Sequence, residues 1–457
     1  MNNELKYEKK TVYEKTDKEN IKAAFDYAEG YKAFLNAAKT EREAVKVAID
    51  MLTPYGFREY SFGDEIKVGD RLYYNNRGKN LFVFTIGSDG AKNGLRIVAS
   101  HIDAPRLDIK QMPIYEDTGL VYFKTHYYGG IRKYQWVATP LALHGVVITK
   151  ELRKVDVCIG EDDSDPMFYI TDLLPHLGRE QSKLTLSEGI KGEQLNVLLG
   201  NMPADDKDDT SVKTAILKLI NEKYCIVEED FLSSELCVVP ALKARDVGFD
   251  RSLIGAYGHD DRVCAYPSLT ALVESLDTKN SAMCILADKE ETGSDGASGM
   301  QSDLMLDIMN EIASALGVNP ALLRAKSKCL SADVCAGFDP TFPEVFEKMN
   351  SAIVGCGAVF TKYTGSGGKY DTNDANAEFV AWLRAAMESD NVVWQSAELG
   401  KVDAGGGGTV AKYISKHNIE TIDLGVPLLA MHAPYELAAK ADVYETHRAI
   451  KAFYNFD

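Results

Sequence analysis

LRIVASHID, residues 95–103, is a short, mostly apolar run that stops at His101. Such a run reads as a buried strand of an α/β sheet with a functional residue at its C-terminal end. The same pattern recurs downstream. SAMCILA (281–287) precedes Asp288-Lys-Glu-Glu, and further apolar runs at 329–334, 353–363, 393–399 and 421–425 predict strands. Helical periodicity fills the gaps at 262–276, 298–316, 373–388, 407–417 and 435–455. Upstream, spacing predicts helix over 20–55, ended by Pro54-Tyr55-Gly56, then strands at 71–76 and 81–87. This alternation implies a mainly parallel, helix-covered sheet.

The character changes near residue 112. Strand-like runs at 120–127, 134–149, 154–159 and 235–240 surround a polar Gly/Asp-rich stretch at 187–211, whose acidic run Asp205–Asp209 reads as a solvated loop. Residues 112–240 therefore read as a β-rich domain inserted into an α/β domain made of 1–111 and 241–457. A chain of 457 residues accommodates this, since about two to four domains are expected at that length.

Composition excludes several classes. Hydrophobic residues are 45% and charged residues 26%, values of a folded globular chain rather than a disordered or fibrous one. The net charge of −17 argues against a phosphate-backbone partner, so no nucleic acid is expected. The charged first twenty residues do not form a signal peptide, and no apolar stretch is long enough to span a bilayer. A cytoplasmic protein with no membrane partner is expected. The eight cysteines are scattered, without CxxC spacing, and read as reduced core thiols.

Five elements at predicted strand ends hold residues able to do chemistry. His101 and Asp103 share one face of an extended chain, so Asp103 can accept a ring N–H while His101 binds a metal. The plain alternative is a polar loop pair. Asp260, in Gly-His-Asp-Asp-Arg (258–262), is either a ligand or a helix N-cap. Glu290 and Glu291 are adjacent like charges that a dication would reconcile; a solvated turn is the alternative. Asp333, in Ser-Ala-Asp (331–333), ends another apolar strand, and His432 follows the apolar stretch Leu428–Met431, where a core or capping histidine is the alternative. Imidazole and carboxylate without thiolate suit zinc, manganese or cobalt.

The strings SHIDAP (100–105), GHDDR (258–262), KEETGS (289–294), SAD (331–333) and MHAPYE (431–436) occur in an order that resembles the M18 aminopeptidases, the aspartyl aminopeptidase family. The linking text PALKARDVGFDRSLIGAYGHDDRVCAY (240–266) and KYTGSGGKYDTNDANAEF (362–379) is similar too, so the resemblance covers essentially the whole chain. It implies a three-layer α/β/α, zinc-peptidase-like catalytic domain with an inserted β-rich dimerisation domain. It implies two divalent metal ions per subunit, Zn²⁺ by default with Co²⁺ or Mn²⁺ possible. Asp260 would bridge them, His101 and Asp333 would hold one, and Glu291 and His432 the other. Asp103 would orient His101. Glu290 would be the general base, taking a proton from the attacking water and passing it to the leaving amine.

The partners implied are peptides with a free N-terminus and further copies of the chain, in a tetrahedral dodecamer built from dimers. His176, in Leu-Leu-Pro-His-Leu (173–177), matches a family histidine that reaches a neighbouring subunit's site; a histidine in the inserted domain's own core is the alternative. Lys362, with Lys369 as second candidate, falls near a lysine that receives acidic N-terminal residues in aspartyl members, although the surrounding text departs from theirs. Gly405–Gly408 lacks the Lys-Ser/Thr ending of a phosphate loop. It reads either as a close backbone approach at a substrate cleft or as a plain turn before a helix. Two other functions compete with an aminopeptidase: a deacylase or carboxypeptidase on the same scaffold, and an assembling shell protein with a degenerate site.

Overall fold

Nine strands form the main sheet of the computed structural model, which describes residues 5–205 and 208–457. Asp206 and Lys207 of the acidic run lie outside the described residues, as do residues 1–4. The strand order is 58–59, 71–76, 80–85, 281–287, 95–101, 328–331, 420–425, 358–361 and 394–396. Five of its eight pairings are parallel, including the central run Ser281–Ala287, Leu95–His101, Lys328–Ser331 and Glu420–Gly425.

Alternate residues of the central strands enter two different cores. Val98, Cys284, Leu286, Leu330 and Ile422 pack with helices Lys18–Ala37, Glu41–Leu52, His259–Val273, Ala377–Ser389 and Lys440–Asn455. Ile97, Ala99, Met283, Ile285 and Cys329 pack with helices Leu304–Ala315, Pro320–Lys326 and Ala411–Ser415. The sheet is apolar on both faces because both are covered, which makes three layers. A second sheet of five strands, in the order 245–247, 253–256, 436–439, 427–429 and 335–336, belongs to the same unit.

Several elements differ from expectation. The helix expected over 20–55 is two, Lys18–Ala37 and Glu41–Leu52. Thr40 restarts the chain with a capping box: its hydroxyl accepts from the Glu43 amide, and Glu43 reaches back to the Thr40 amide. The last helix begins at Lys440, because Glu436–Ala439 pairs as a strand with Leu253–Ala256. Helix Val212–Tyr224 was not anticipated.

The chain divides into two compact units: residues 5–103, 244–431 and 436–457, and residues 104–243 with 432–435. The second unit holds a six-stranded sheet in the order 154–159, 141–148, 234–240, 106–117, 120–128 and 197–200. The boundary expected at 111/112 falls inside the strand Arg106–Asp117. Six of the eight cysteines are buried; Cys158 and Cys225 are exposed, contrary to a uniform core reading, and all eight are free thiols. Among the described residues, no helix is long and apolar enough to cross a membrane.

Candidate metal centre

The parallel strands end where the chemistry begins. His101 is the last residue of Leu95–His101, Glu290 follows Ser281–Ala287 by three residues, and Asp333 follows Lys328–Ser331 by two. Asp260 arrives from the second sheet, past Gly258, whose φ of +72° turns the chain toward the helix. Asp260 has an extended, non-helical backbone ahead of the helix proper, and its amide donates to Glu436 Oε2 at 3.2 Å.

His101, Asp260 and Asp333 place ligand atoms within 4.8 Å of one another. His101 Nε2 lies 3.1 Å from Asp260 Oδ1 and 3.9 Å from Glu290 Oε2. Its Nδ1 faces the Asp103 backbone carbonyl at 3.0 Å and Asp103 Oδ1 at 3.3 Å. An Nδ1–H donated there leaves Nε2 as the ligand nitrogen. Asp260 also shares a 4.8 Å grouping with Glu291.

Asp103 is fully buried and holds the neighbouring turn as well. Its Oδ1 accepts the Glu290 amide and its Oδ2 the Glu291 amide, each at 3.2 Å. One carboxylate thereby fixes both glutamates and the histidine.

The electrostatics call for a cation. Burial, then the Glu290 and Asp260 charges, drive the Asp333 carboxyl well above the ordinary carboxylate range. Burial by itself would lower His101; Asp103 and Asp260 outweigh it and hold the imidazole well above its usual value. Buried acids crowded this closely are costly unless a positive charge compensates them. Imidazole nitrogen and carboxylate oxygen without thiolate are the donor types zinc accepts, so these residues fit the ion.

Two contributors were not singled out from sequence, although both lie inside the strings quoted above. Asp261 Oδ2 accepts the His101 amide at 3.2 Å, and burial followed by the Asp333 charge raises its carboxyl well above normal. Glu436 receives the Asp260 amide. Next to them, His259 is not a ligand candidate. Its Nε2 faces the Ile254 carbonyl at 3.1 Å, its Nδ1 faces the Tyr31 hydroxyl at 2.8 Å, and burial lowers it to about 4.

The family model for "Aminopeptidase I zinc metalloprotease (M18)" matches residues 34–454. The chain belongs to the M18 family. A probable M18 family aminopeptidase 1 of Clostridium acetobutylicum is 49% identical over the whole of both chains. The crystal structure of the M18 aminopeptidase of Thermotoga maritima shares the fold with a TM-score of 0.93 and 42% identity, covering 98% of this chain and 100% of that one. The Saccharomyces cerevisiae mApe1 dodecamer shares it at 0.77 with 20% identity, over 94% of this chain and 96% of that one. This M18 chain is accordingly an aminopeptidase of a zinc metalloprotease family.

The remaining expected residues of the M18 chain are placed as follows. His432 lies at φ +64° between strands Pro427–Leu429 and Glu436–Ala439, within the four residues grouped with the second unit. Its Nδ1 lies 2.8 Å from the Gly130 carbonyl, an arrangement that leaves Nε2 for another partner. His176 is exposed in a turn of the second unit, not in its core. Lys362 and Lys369 both pair with Asp374. The glycine run lies against the backbone of residues 364–366: the Gly407 amide donates to Thr364, and a Cβ on Gly406 would meet the Gly365 carbonyl at 2.6 Å. The run thus makes a close backbone approach to residues 364–366, and the helix after it begins at Ala411.

Proposed function

We propose that this enzyme removes single residues from the N-termini of peptides, with two divalent ions per chain and Glu290 as general base. His101, Asp260 and Asp333 would hold one ion; Asp260, Glu291 and His432 would hold the other. When bound, the ions acidify the attacking water and polarise the scissile carbonyl. Glu290 takes the water's proton on its carboxylate and delivers it to the leaving amine. Asp103 keeps that carboxylate aimed by fixing the Glu290 and Glu291 amides, and it keeps His101 in one tautomer. Asp261 and Glu436 hold the His101 and Asp260 backbones.

The observation that carries this reading is the grouping of buried His101 and Asp260 with half-buried Asp333, and the half-buried Glu290 carboxylate 3.9 Å from the imidazole. A solvated turn has no reason to bury these charges together, and a degenerate shell protein has no reason to keep them.

Glu290→Gln tests it. The variant should bind as much zinc as the wild type and lose about 10²–10⁴-fold in kcat on a free-amine dipeptide amide. Undiminished turnover removes Glu290 as base. Cleavage of N-acetylated substrates in preference to free amines moves the chain to the deacylase reading.

The assembly we propose is a homo-oligomer built from dimers, of the dodecameric kind. Support comes from the yeast dodecamer that shares the fold and from exposed Leu173, Leu174 and Leu177 around His176 in the second unit. In that assembly His176 would serve a neighbouring subunit's site. We place the enzyme in the cytoplasm, where eight free thiols stay reduced.

A further inference from the structure

We infer that Asp288 and Ser298 form a clasp that closes the loop carrying Glu290 and Glu291, and that this clasp keeps the Glu290 carboxylate in its working position. Both are positioning residues, and their role rests on the aminopeptidase reading above.

Asp288 is the first residue after the strand Ser281–Ala287 and stands two residues before Glu290. It is 1% exposed, and no step of the reaction uses it. Its Oδ2 accepts the Ser298 hydroxyl at 2.5 Å, a bond between positions ten residues apart. Ser298 is itself 4% exposed. A hydroxyl donated to a buried carboxylate is a charge-assisted bond, and a carboxylate deprived of its donor there is costly.

The surrounding charges explain why this one donor counts. Burial, then the Glu41 and Asp103 charges, raise the Asp288 carboxyl to about 6, against the opposing pull of Lys79 and the Ser298 hydroxyl. Lys79 Nζ lies 3.5 Å from Glu41 Oε1, and Glu41 is buried too, so one ammonium stands among several buried acids. At neutral pH Asp288 is still ionised, and Ser298 donates to it.

Between the two ends the chain is folded tightly on itself. Lys289, at φ +67°, turns the backbone out of the strand, and its carbonyl accepts the Ser294 amide at 2.7 Å. The Glu290 carbonyl accepts the Gly293 amide at 3.0 Å. The Ser294 carbonyl accepts the Gln301 amide at 3.1 Å, and a Cβ on Gly299 would meet that oxygen at 2.1 Å, so the returning chain needs a glycine there. The far end is anchored from outside the loop. Asn76 and Asn80, both buried at the turn between strands Arg71–Asn76 and Asn80–Thr85, donate to the Ala297 and Ser298 carbonyls at 2.8 Å and 2.7 Å.

Two carboxylates therefore fix the glutamate pair. Asp103 takes the Glu290 and Glu291 amides, and Asp288 ties the stem before them to Ser298, which the Asn76–Asn80 turn holds in place. A base 3.9 Å from His101 Nε2 has little room to drift, since a misplacement of about 1 Å can cost about 10²-fold in rate.

The test compares the zinc-loaded wild type with Ser298→Ala, Ser298→Thr, Asp288→Asn and the double variant Asp288→Asn with Ser298→Ala. Ser298→Ala removes a hydroxyl and no charge. On a free-amine dipeptide amide its kcat should fall at least about tenfold, the worth of one hydrogen bond to a charged group, with KM within about twofold of wild type. Ser298→Thr keeps the hydroxyl and should restore most of kcat. The double variant should be no slower than the slower single variant, because both changes remove the same bond. Amide exchange read by mass spectrometry, which needs no turnover, should quicken over 289–298 in Ser298→Ala and keep its wild-type rate over 281–287. A Ser298→Ala kcat within about twofold of wild type, or single effects that multiply in the double variant, overturns the inference. Exchange that quickens equally over 281–287 and 289–298 also overturns it, since that marks a general loss of stability. A wild type that cleaves no peptide overturns the aminopeptidase reading instead; exchange then decides the clasp, quickened over 289–298 for it and unchanged against it.

Discussion

Asp103→Asn is the sharpest perturbation of the centre, because it keeps size and removes one acceptor. In the native chain each oxygen of Asp103 receives one backbone amide, Glu290 on Oδ1 and Glu291 on Oδ2, both at 3.2 Å. An asparagine amide, whichever way it is turned, offers one oxygen and one NH₂. One of the two glutamate amides then faces a donor. The loss is at least one hydrogen bond to a charged group, about 1.5–3 kcal/mol. At about 1.4 kcal/mol per decade of rate, kcat/KM should fall roughly 10–150-fold. The hydrogen bond from His101 to the Asp103 backbone carbonyl, 3.0 Å away, survives, so zinc content should fall far less than activity. Asp103→Ala should lose more, since both amides and the ring then lack the carboxylate. Peptide kinetics alongside zinc analysis and a thermal melt decide the matter. Activity within twofold of wild type at full zinc content would refute the idea that this carboxylate aims the Glu290 turn.

On the proposed two-ion centre, in which one carboxylate would serve both ions, Asp260→Ala should retain fewer than one ion per chain; two ions retained on elemental analysis would dismiss the bridging assignment. Gly425→Ala would place a Cβ 1.9 Å from the Asp333 carbonyl oxygen and 2.9 Å from Cys264 Sγ, so chemical denaturation should show a loss of about 1–3 kcal/mol and zinc titration a weaker site. Unchanged midpoints would mean that the Asp333 backbone yields without consequence. Glu274 is pushed down to about 2, first by its hydrogen bond from His447 and then by Lys451, against opposing burial. A carboxyl lowered in the folded state stabilises above its unfolded value near 4.3, and that contribution disappears as pH falls from there toward 2. Glu274 is half exposed, so the contribution is under about 1 kcal/mol; urea unfolding should show Glu274→Gln less stable at pH 6 and equal to wild type near pH 2, and a gap independent of pH would refute the pairing.

The sequence alone was enough to place the centre's main residues at strand ends. A strand covered on both faces is buried along its length and mostly apolar, as Leu95–His101 and Ser281–Ala287 are, so functional side chains at or just past its end stand out against that background. His101, Glu290 and Asp333 are legible for that reason. Burial is a local property, and a short window of sequence records it. Partnership is not local. Nothing near Asp103 reveals that its two oxygens meet amides 187 and 188 residues away, or that Glu436 receives the amide of Asp260 across 176 residues. Nor does the spacing of Lys362, Lys369 and Asp374 disclose that one carboxylate takes both ammonium groups. The helix break at 38–40 and the strand Glu436–Ala439 were likewise decided in three dimensions, by a capping box and by a sheet partner at Leu253–Ala256. Hydrophobic periodicity tells a residue which way to face. Which hydrogen-bond partner it meets depends on closing long loops, and only the folded chain does that.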